Sequence, residues 1–157
     1  MQKIIPNLWF DTEAEDAANF YTSIFENSTV LRVMHYGEAG PRPAGMVLTV
    51  TFQLEGQEFT ALNGGPEFKF NEAISLLVNC DSQEEVDRLW DKLSKGGEKG
   101  PCGWLKDKFG VSWQITPAIL DEMLQDEDAD KANRVMKAML QMGKIEIDAL
   151  ERAYAQG

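Results

Sequence analysis

The sequence predicts an α+β fold made of two paired β-α-β-β-β modules followed by a C-terminal helical tail. Three observations predict it. A strand-and-helix signature recurs at a constant offset of 70 residues: Asp11 matches Asp81, Thr12 matches Ser82, Glu15 matches Glu85 and Phe20 matches Trp90. Residues 46–55 alternate strictly, with Met46, Leu48, Val50, Phe52 and Leu54 on one face and Val47, Thr49, Thr51, Gln53 and Glu55 on the other. Beyond Pro117 the apolar residues fall only at helical spacing.

The first module opens with an extended apolar stretch, 3–10, in which Pro6 suits a strand start. Asp11-Thr12 then opens a helix. Thr12 and Glu15 have capping-box spacing, and Ala14, Ala17, Ala18, Tyr21, Ile24 and Phe25 form a buried stripe. A second strand covers 30–36 and contains His35, read as a surface side chain. Three glycines and two prolines make 37–45 a loop. The alternating strand 46–55 turns at Gly56 into an antiparallel partner, 58–63. The loop 63–71 then carries two large apolar side chains, Phe68 and Phe70, which loops either bury or present to a ligand.

The second module starts with a strand at 73–80. Ile74, Leu76 and Val78 lie on one face, with Ser75, Leu77 and Asn79 on the other. Ser82 and Glu85 form a second capping box, and Val86, Leu89, Trp90 and Leu93 mark the buried side of the helix that Gly96-Gly97 ends. In the stretch 100–117, Trp104-Leu105 and Val111 to Ile115 flank a tight turn closed by Gly110. Alternation puts Val111, Trp113 and Ile115 on one face and Ser112 and Gln114 on the other. Asp107, between Lys106 and Lys108, reads as part of a solvated turn. Pro117 starts a third helix buried through Ile119, Leu120, Met123 and Leu124. Two more helices, 128–142 and 144–154, break at Gly143, with Ala132, Val135, Met136, Met139, Ile145, Leu150 and Tyr154 as their apolar positions. One domain, 1–157, is expected: module one over 1–65, module two over 72–117 and the tail over 117–157.

Charge narrows the partners. The chain has 157 residues and a net charge of −11, with no basic arm, which argues against nucleic acid or an anionic membrane surface. No apolar run reaches membrane-spanning length, and the first five residues are too short for a signal peptide. Cys80 and Cys102 make no disulfide framework and read as reduced thiols in a cytoplasmic protein. One histidine and two scattered cysteines do not assemble a His/Cys metal site.

Three segments resemble a known family. They are Phe10-Asp11 with Ala18-Asn19-Phe20-Tyr21, then Asn63-Gly-Gly-Pro-Glu-Phe-Lys-Phe-Asn71 running into Ala73-Ile74-Ser75, then the run from Cys102 to Ile115. Together with the paired modules they resemble the glyoxalase/bleomycin-resistance (vicinal oxygen chelate) superfamily, in its PhnB-like branch, whose members carry the label demethylubiquinone methyltransferase-like. The resemblance covers roughly the first three quarters of the chain, by the count of matched elements. It implies a fold in which each module curls into a half-cup and two half-cups enclose a cavity, and it implies a homodimer. Metal-dependent superfamily members project His, Glu or Gln from the first and last strands of each module. The matching places here hold Ile4 or Ile5, a residue among 59–63, Ser75 and Gln114. Gln114 alone is of a ligand type, and one neutral amide does not hold a divalent ion, so the site reads as metal-free and no cofactor is assigned.

The methyltransferase label finds no support in the residues. Gly64-Gly65 precedes Pro66 in a loop and Gly96-Gly97 ends a helix, so neither glycine pair lies between a parallel strand and a helix. No Ser/His/Asp set is available. Cys80, just before the second helix, is the better placed thiol for a nucleophile, but a small buried side chain is the reading adopted. The expectation is therefore a dimeric, metal-free protein that binds a small, partly apolar molecule. Its candidate cavity residues are Asn7, Trp9, Asn63, Phe68, Phe70, Ser75, Leu77, Trp104, Ser112 and Gln114. An enzyme acting on a small carbonyl or aromatic compound, and a scaffold whose cavity is filled by side chains, are the alternatives.

Overall fold

A computed structural model describes residues 2–156, and the chain divides into two compact units, one ending at Phe70 and one beginning at Asn71. The fold is the expected α+β arrangement. The first unit contains β1 (Asn7–Phe10), α1 (Ala14–Ile24), β2 (Ser28–His35), β3 (Val47–Leu54) and β4 (Gln57–Asn63). Its sheet has the order β1-β4-β3-β2, with β1 parallel to β4 and the other neighbours antiparallel. The second unit repeats this plan with β5 (Ser75–Cys80), α2 (Gln83–Ser94), β6 (Glu98–Lys99), β7 (Trp104–Lys106) and β8 (Ser112–Pro117), in the order β5-β8-β7-β6. Again the first strand runs parallel to the last. The repeat seen as an offset in sequence is thus a repeat of topology.

In each unit the helix covers one sheet face. Ala14, Ala17, Ala18 and Tyr21 of α1 are fully buried, as are Val50, Phe52 and Ala61 of the sheet beneath. Tyr21 and Phe52 lie 6.1 Å apart and Phe52 stacks on Phe59 at 5.4 Å. In the second unit Val86, Leu89, Trp90 and Leu93 of α2 are buried, as are Leu105, Trp113 and Ile115 of β7 and β8. Removing such side chains from water is the main stabilising term in both units.

Local details differ from expectation where tertiary contacts compete. Thr12 does not cap α1. The N-cap is Glu13, which makes no side-chain cap bond, and the Ala14 N–H instead donates to Asn63 Oδ1 at 2.9 Å. A residue 49 positions away does what a local side chain was expected to do. At the second helix the cap does form: Ser82 Oγ accepts from the Glu85 N–H at 3.2 Å, and the Glu85 carboxylate reaches back to accept from the Asp81 N–H at 3.3 Å, one residue before the cap. The first strand is shorter than read, beginning at Asn7, and the strand that the β-α-β-β-β plan requires directly after the second helix is the two-residue β6, since Glu98-Lys99 has no alternation to mark it.

The tail forms α3 (Ala118–Leu124), α4 (Ala129–Leu140) and α5 (Ile147–Ala155). Leu120, Met123, Val135, Ile145 and Leu150 make a core of their own, flanked by Met139, Met142 and Tyr154. Met136, expected among the apolar contacts, is 39 % exposed, because the buried stripe of α4 runs through Val135 and Met139. The tail is fastened to its own second module. Gln83 Nε2 donates to the Ile145 carbonyl and its Oε1 accepts from the Ile147 N–H. Lys144 pairs with Asp87 at 2.8 Å. The Cys102 and Gly103 N–H groups donate to the Met142 and Gly143 carbonyls, each at 2.8 Å. Only glycine fits at 103: φ is +84°, and a Cβ would stand 2.8 Å from the Ile115 carbonyl oxygen.

Candidate functional site

The face of the second sheet opposite α2 carries the polar residues. Register defines its rows. Ser75 lies beside Ser112, which lies beside Lys106, which lies beside Glu98. The next row is Leu77, Gln114 and Trp104, and the last is Asn79 and Thr116. Ser75, Leu77, Trp104, Ser112 and Gln114, singled out from the sequence, therefore share one face. Gln114 Nε2 donates to Ser75 Oγ at 2.9 Å, and Thr116 Oγ1 donates to the Val78 carbonyl at 3.2 Å.

Ser112 stands apart. It is 1 % exposed, and its hydroxyl has no hydrogen-bond partner. Buried hydroxyls are ordinarily partnered, and an unpartnered one destabilises by about 1–3 kcal/mol. Ser112 lies at a cavity of about 400 Å³ whose apolar surface comes from Pro101, Trp104 and Leu105. At the rim Lys106 Nζ forms an ion pair with the Glu72 carboxylate. The pairing holds Glu72 below the usual carboxylate range and Lys106 above the usual ammonium range. A second cavity, of about 380 Å³, lies on the same face, and Trp104 borders both.

The first unit gathers the other candidates less closely. Asn7 and Trp9 lie on the face of their sheet away from α1, beside Thr60 and Leu62. Trp9 is built into the loop that follows β4. Its Nε1 donates to the Gly65 carbonyl at 2.9 Å, and a Cβ on Gly64 would sit 2.5 Å from its ring, which is why this loop needs glycine there. Phe68 meets Trp9 edge-on at 4.9 Å and remains 64 % exposed, while Phe70 meets Phe10 at 5.2 Å. Asn63 lies on the α1 side of the sheet and its amide is committed to the scaffold: Oδ1 caps α1 and Nδ2 donates to the Val47 carbonyl at 3.0 Å. Its own carbonyl accepts from Tyr36 Oη at 2.7 Å.

A family model described as 3-demethylubiquinone-9 3-methyltransferase matches residues 2–116. A solved structure from Bacillus cereus, described as a putative 3-demethylubiquinone-9 3-methyltransferase, PhnB protein, is 40 % identical. It has a TM-score of 0.65, and the alignment covers 73 % of this chain and 99 % of that one. The chain belongs to this PhnB-like family. The protein PA1353 from Pseudomonas aeruginosa shares the fold at 22 % identity and a TM-score of 0.61, covering 74 % of this chain and 98 % of that chain. No curated protein matches the sequence.

Ser75 and Gln114 are the two second-module residues that the sequence resemblance set against metal-ligand positions. They hydrogen-bond to each other, and both are neutral. One hydroxyl and one amide, with no carboxylate, thiolate or imidazole in the set, are too few and too weak a group of donors to hold a divalent cation. Among the described residues no group of three or more His, Cys, Asp or Glu side chains is arranged to hold a metal ion.

Two sequence readings acquire a physical answer in the PhnB-like module. Cys80 is 1 % exposed, and its thiol is pushed up to about 12, chiefly by burial and then by the Glu85 carboxylate. The helix N-terminus beside it does not outweigh these effects, so Cys80 is a packed side chain and not a thiolate. Asp107 is no solvated turn residue. It is 2 % exposed; Oδ1 accepts from the Phe109 and Val111 N–H groups at 2.9 and 3.1 Å, and Oδ2 accepts from Trp113 Nε1 at 2.9 Å. Its flanking lysines concealed this, because alternation marks a turn but not the direction in which a turn side chain points. His35 is exposed, as read.

Proposed function

We propose that this protein binds a small, partly apolar organic molecule on the open face of its second sheet, without a metal ion. The observation that carries this reading is the Ser112 hydroxyl, buried, unpartnered and bordering a cavity with Trp104 in its wall. A ligand bearing one hydrogen-bonding group would satisfy that hydroxyl while its apolar body covers the Trp104 ring. The neutrality of Ser75 and Gln114, which hydrogen-bond to each other, supports metal independence. The two unpaired thiols support a cytoplasmic location, and among the described residues no helix is long and apolar enough to cross a membrane.

An NMR titration with phenol and aromatic-ketone fragments tests this reading. We expect the Trp104 indole N–H signal to move and Ser112→Ala to weaken binding about fivefold, the worth of one hydrogen bond. Ser112→Ala should also keep or raise the stability of the free protein, since it removes an unpartnered group. Fragments that leave Trp104 unmoved, or bind Ser112→Ala equally well, would defeat the proposal.

A catalytic reading follows from the family description, which names methyl transfer. The turns from β1 to α1 and from β5 to α2 are Asp11-Thr12-Glu13 and Asp81-Ser82, neither containing the glycine-rich phosphate cradle of the commonest cofactor-binding folds. Binding without turnover of small carbonyl or aromatic substrates separates the two readings in favour of the first.

A further inference from the structure

We infer that the helical tail gives this chain a ligand compartment of its own, one that selects neutral or cationic amphiphiles over anionic ones. The inference rests on the reading that the open face binds a small molecule, but not on Ser112. The family match ends at residue 116, and 73 % of this chain suffices to cover 99 % of the Bacillus cereus relative. The tail lies outside the family match. It does not merely trail from the module. Its helices have their own core and are fastened at Gln83, Asp87, Cys102 and Gly103, so their placement over the module is fixed.

That placement adds a wall to the open face. The cavity of about 380 Å³ takes Leu77 and Gln114 from the sheet, and Leu120, Leu124 and Met139 from the tail. Without α3 and α4, Leu77 and Gln114 would belong to an exposed sheet surface; with them, the row meets an apolar wall. Leu77 is still 54 % exposed, so the compartment is open enough to admit a ligand. Met at such a wall adapts to ligand shape better than a branched side chain does.

The charge of the wall is one-sided. Asp121 lies at the cavity, its carboxylate accepting from Gln125 Nε2 at 2.7 Å, and among the described residues no Lys, Arg or His lines the space. The remaining polar groups, Asn79, Gln114 and Thr116, are neutral. An ammonium group near Asp121 gains a modest attraction, because the carboxylate is solvent-exposed, whereas an anion meets repulsion with no cation to offset it.

Three probes with one apolar body test this on the full-length protein: 4-phenylbutylamine, 4-phenylbutan-1-ol and 4-phenylbutyrate, titrated by NMR or calorimetry at 50 mM and 300 mM salt. We expect the amine to bind about threefold tighter than the alcohol at low salt, and the acid to bind weakest. Asp121→Asn should erase the advantage of the amine. Glu122→Gln, the same charge change at the neighbouring exposed residue, should leave it, which separates the local carboxylate from the overall charge of −11. Leu124→Trp should fill the compartment and weaken all three probes at least tenfold; Leu77→Trp does the same from the sheet side should the first variant fold poorly. Probes that do not bind the wild type, bind both tryptophan variants undiminished, or favour the amine equally in Asp121→Asn would overturn the inference. Probe binding lost in Ser112→Ala but kept in both tryptophan variants would also overturn it, while leaving the function proposed above in place. Binding abolished by the tryptophan variants, with aromatic fragments insensitive to Ser112→Ala, would do the reverse.

Discussion

Asp107 Oδ2 accepts a hydrogen bond from Trp113 Nε1 at 2.9 Å, joining the turn between β7 and β8 to the largest fully buried side chain of the second unit. The same carboxylate holds the Phe109 and Val111 N–H groups, so one buried side chain both shapes the turn and satisfies the indole. Asp107→Ala leaves three donors without their acceptor. It should lower stability by about 3–5 kcal/mol, near the sum of unpartnered buried groups, read as the shift in urea midpoint at pH 7 by tryptophan fluorescence. A change under about 1 kcal/mol would mean that water replaces the carboxylate.

Neighbouring residues on β8 should respond in opposite ways. Trp113→Ala removes a side chain that is 2 % exposed under α2 and should destabilise by about 3–5 kcal/mol. Gln114→Leu keeps volume on the open face and loses its bond to Ser75, so it should change stability by about 1 kcal/mol or less while altering fragment binding. The reverse pattern in thermal unfolding would mean that the two faces carry the opposite roles.

Dialysis against a strong chelator should leave the melting temperature and fragment affinity of the protein unchanged, because Ser75 and Gln114 offer a divalent ion no charge. Stoichiometric zinc, nickel or iron that leaves together with binding would count against the metal-free reading.

For assembly, we propose the homodimer that the family resemblance implies. Since the tail packs on its own second module, truncation after Pro117 should leave the dimer intact in sedimentation at micromolar concentration while lowering stability, because the tail core and its four fastenings are lost. A monomeric full-length chain would contradict the first expectation; a dimer lost only on truncation would place the contact in the tail.

Tyr154 Oη donates to the Asp126 carboxylate at 2.5 Å, closing α5 onto the link between α3 and α4. The bond holds the Asp126 carboxyl below its usual range and the Tyr154 phenol above its own. A depressed carboxyl contributes stability above its unfolded pKa and loses it as pH falls toward the folded value. A raised phenol contributes stability below its unfolded pKa and loses it as pH rises toward the folded one. The difference in melting temperature between wild type and Tyr154→Phe should therefore be flat from about pH 5 to 9 and shrink on both sides. A difference that is independent of pH would remove the bond from the tail's stability.

Much of the fold was legible because it is written in local periodicity. The 70-residue repeat, the alternation of β3 and the stripes of both module helices follow from which side chains must leave water, and a sequence states that directly. The face of Ser75, Ser112 and Gln114 was legible for the same reason, since a strand has only two sides. What sequence could not state is what lies opposite a given side chain. Thr12 had the spacing of a cap, but Asn63 holds the Ala14 N–H. Asp107 had the neighbours of a surface turn but lies beneath Trp113. Cys80 stood before a helix, yet burial raised its thiol beyond use. The tail read as amphipathic helices with apolar stripes, and the structure fastens them to the module they follow. Each of these outcomes rests on contacts between residues distant in the chain. Hydrogen bonds and desolvation act over a few ångströms of space whatever the separation in sequence, so only the tertiary structure decides them.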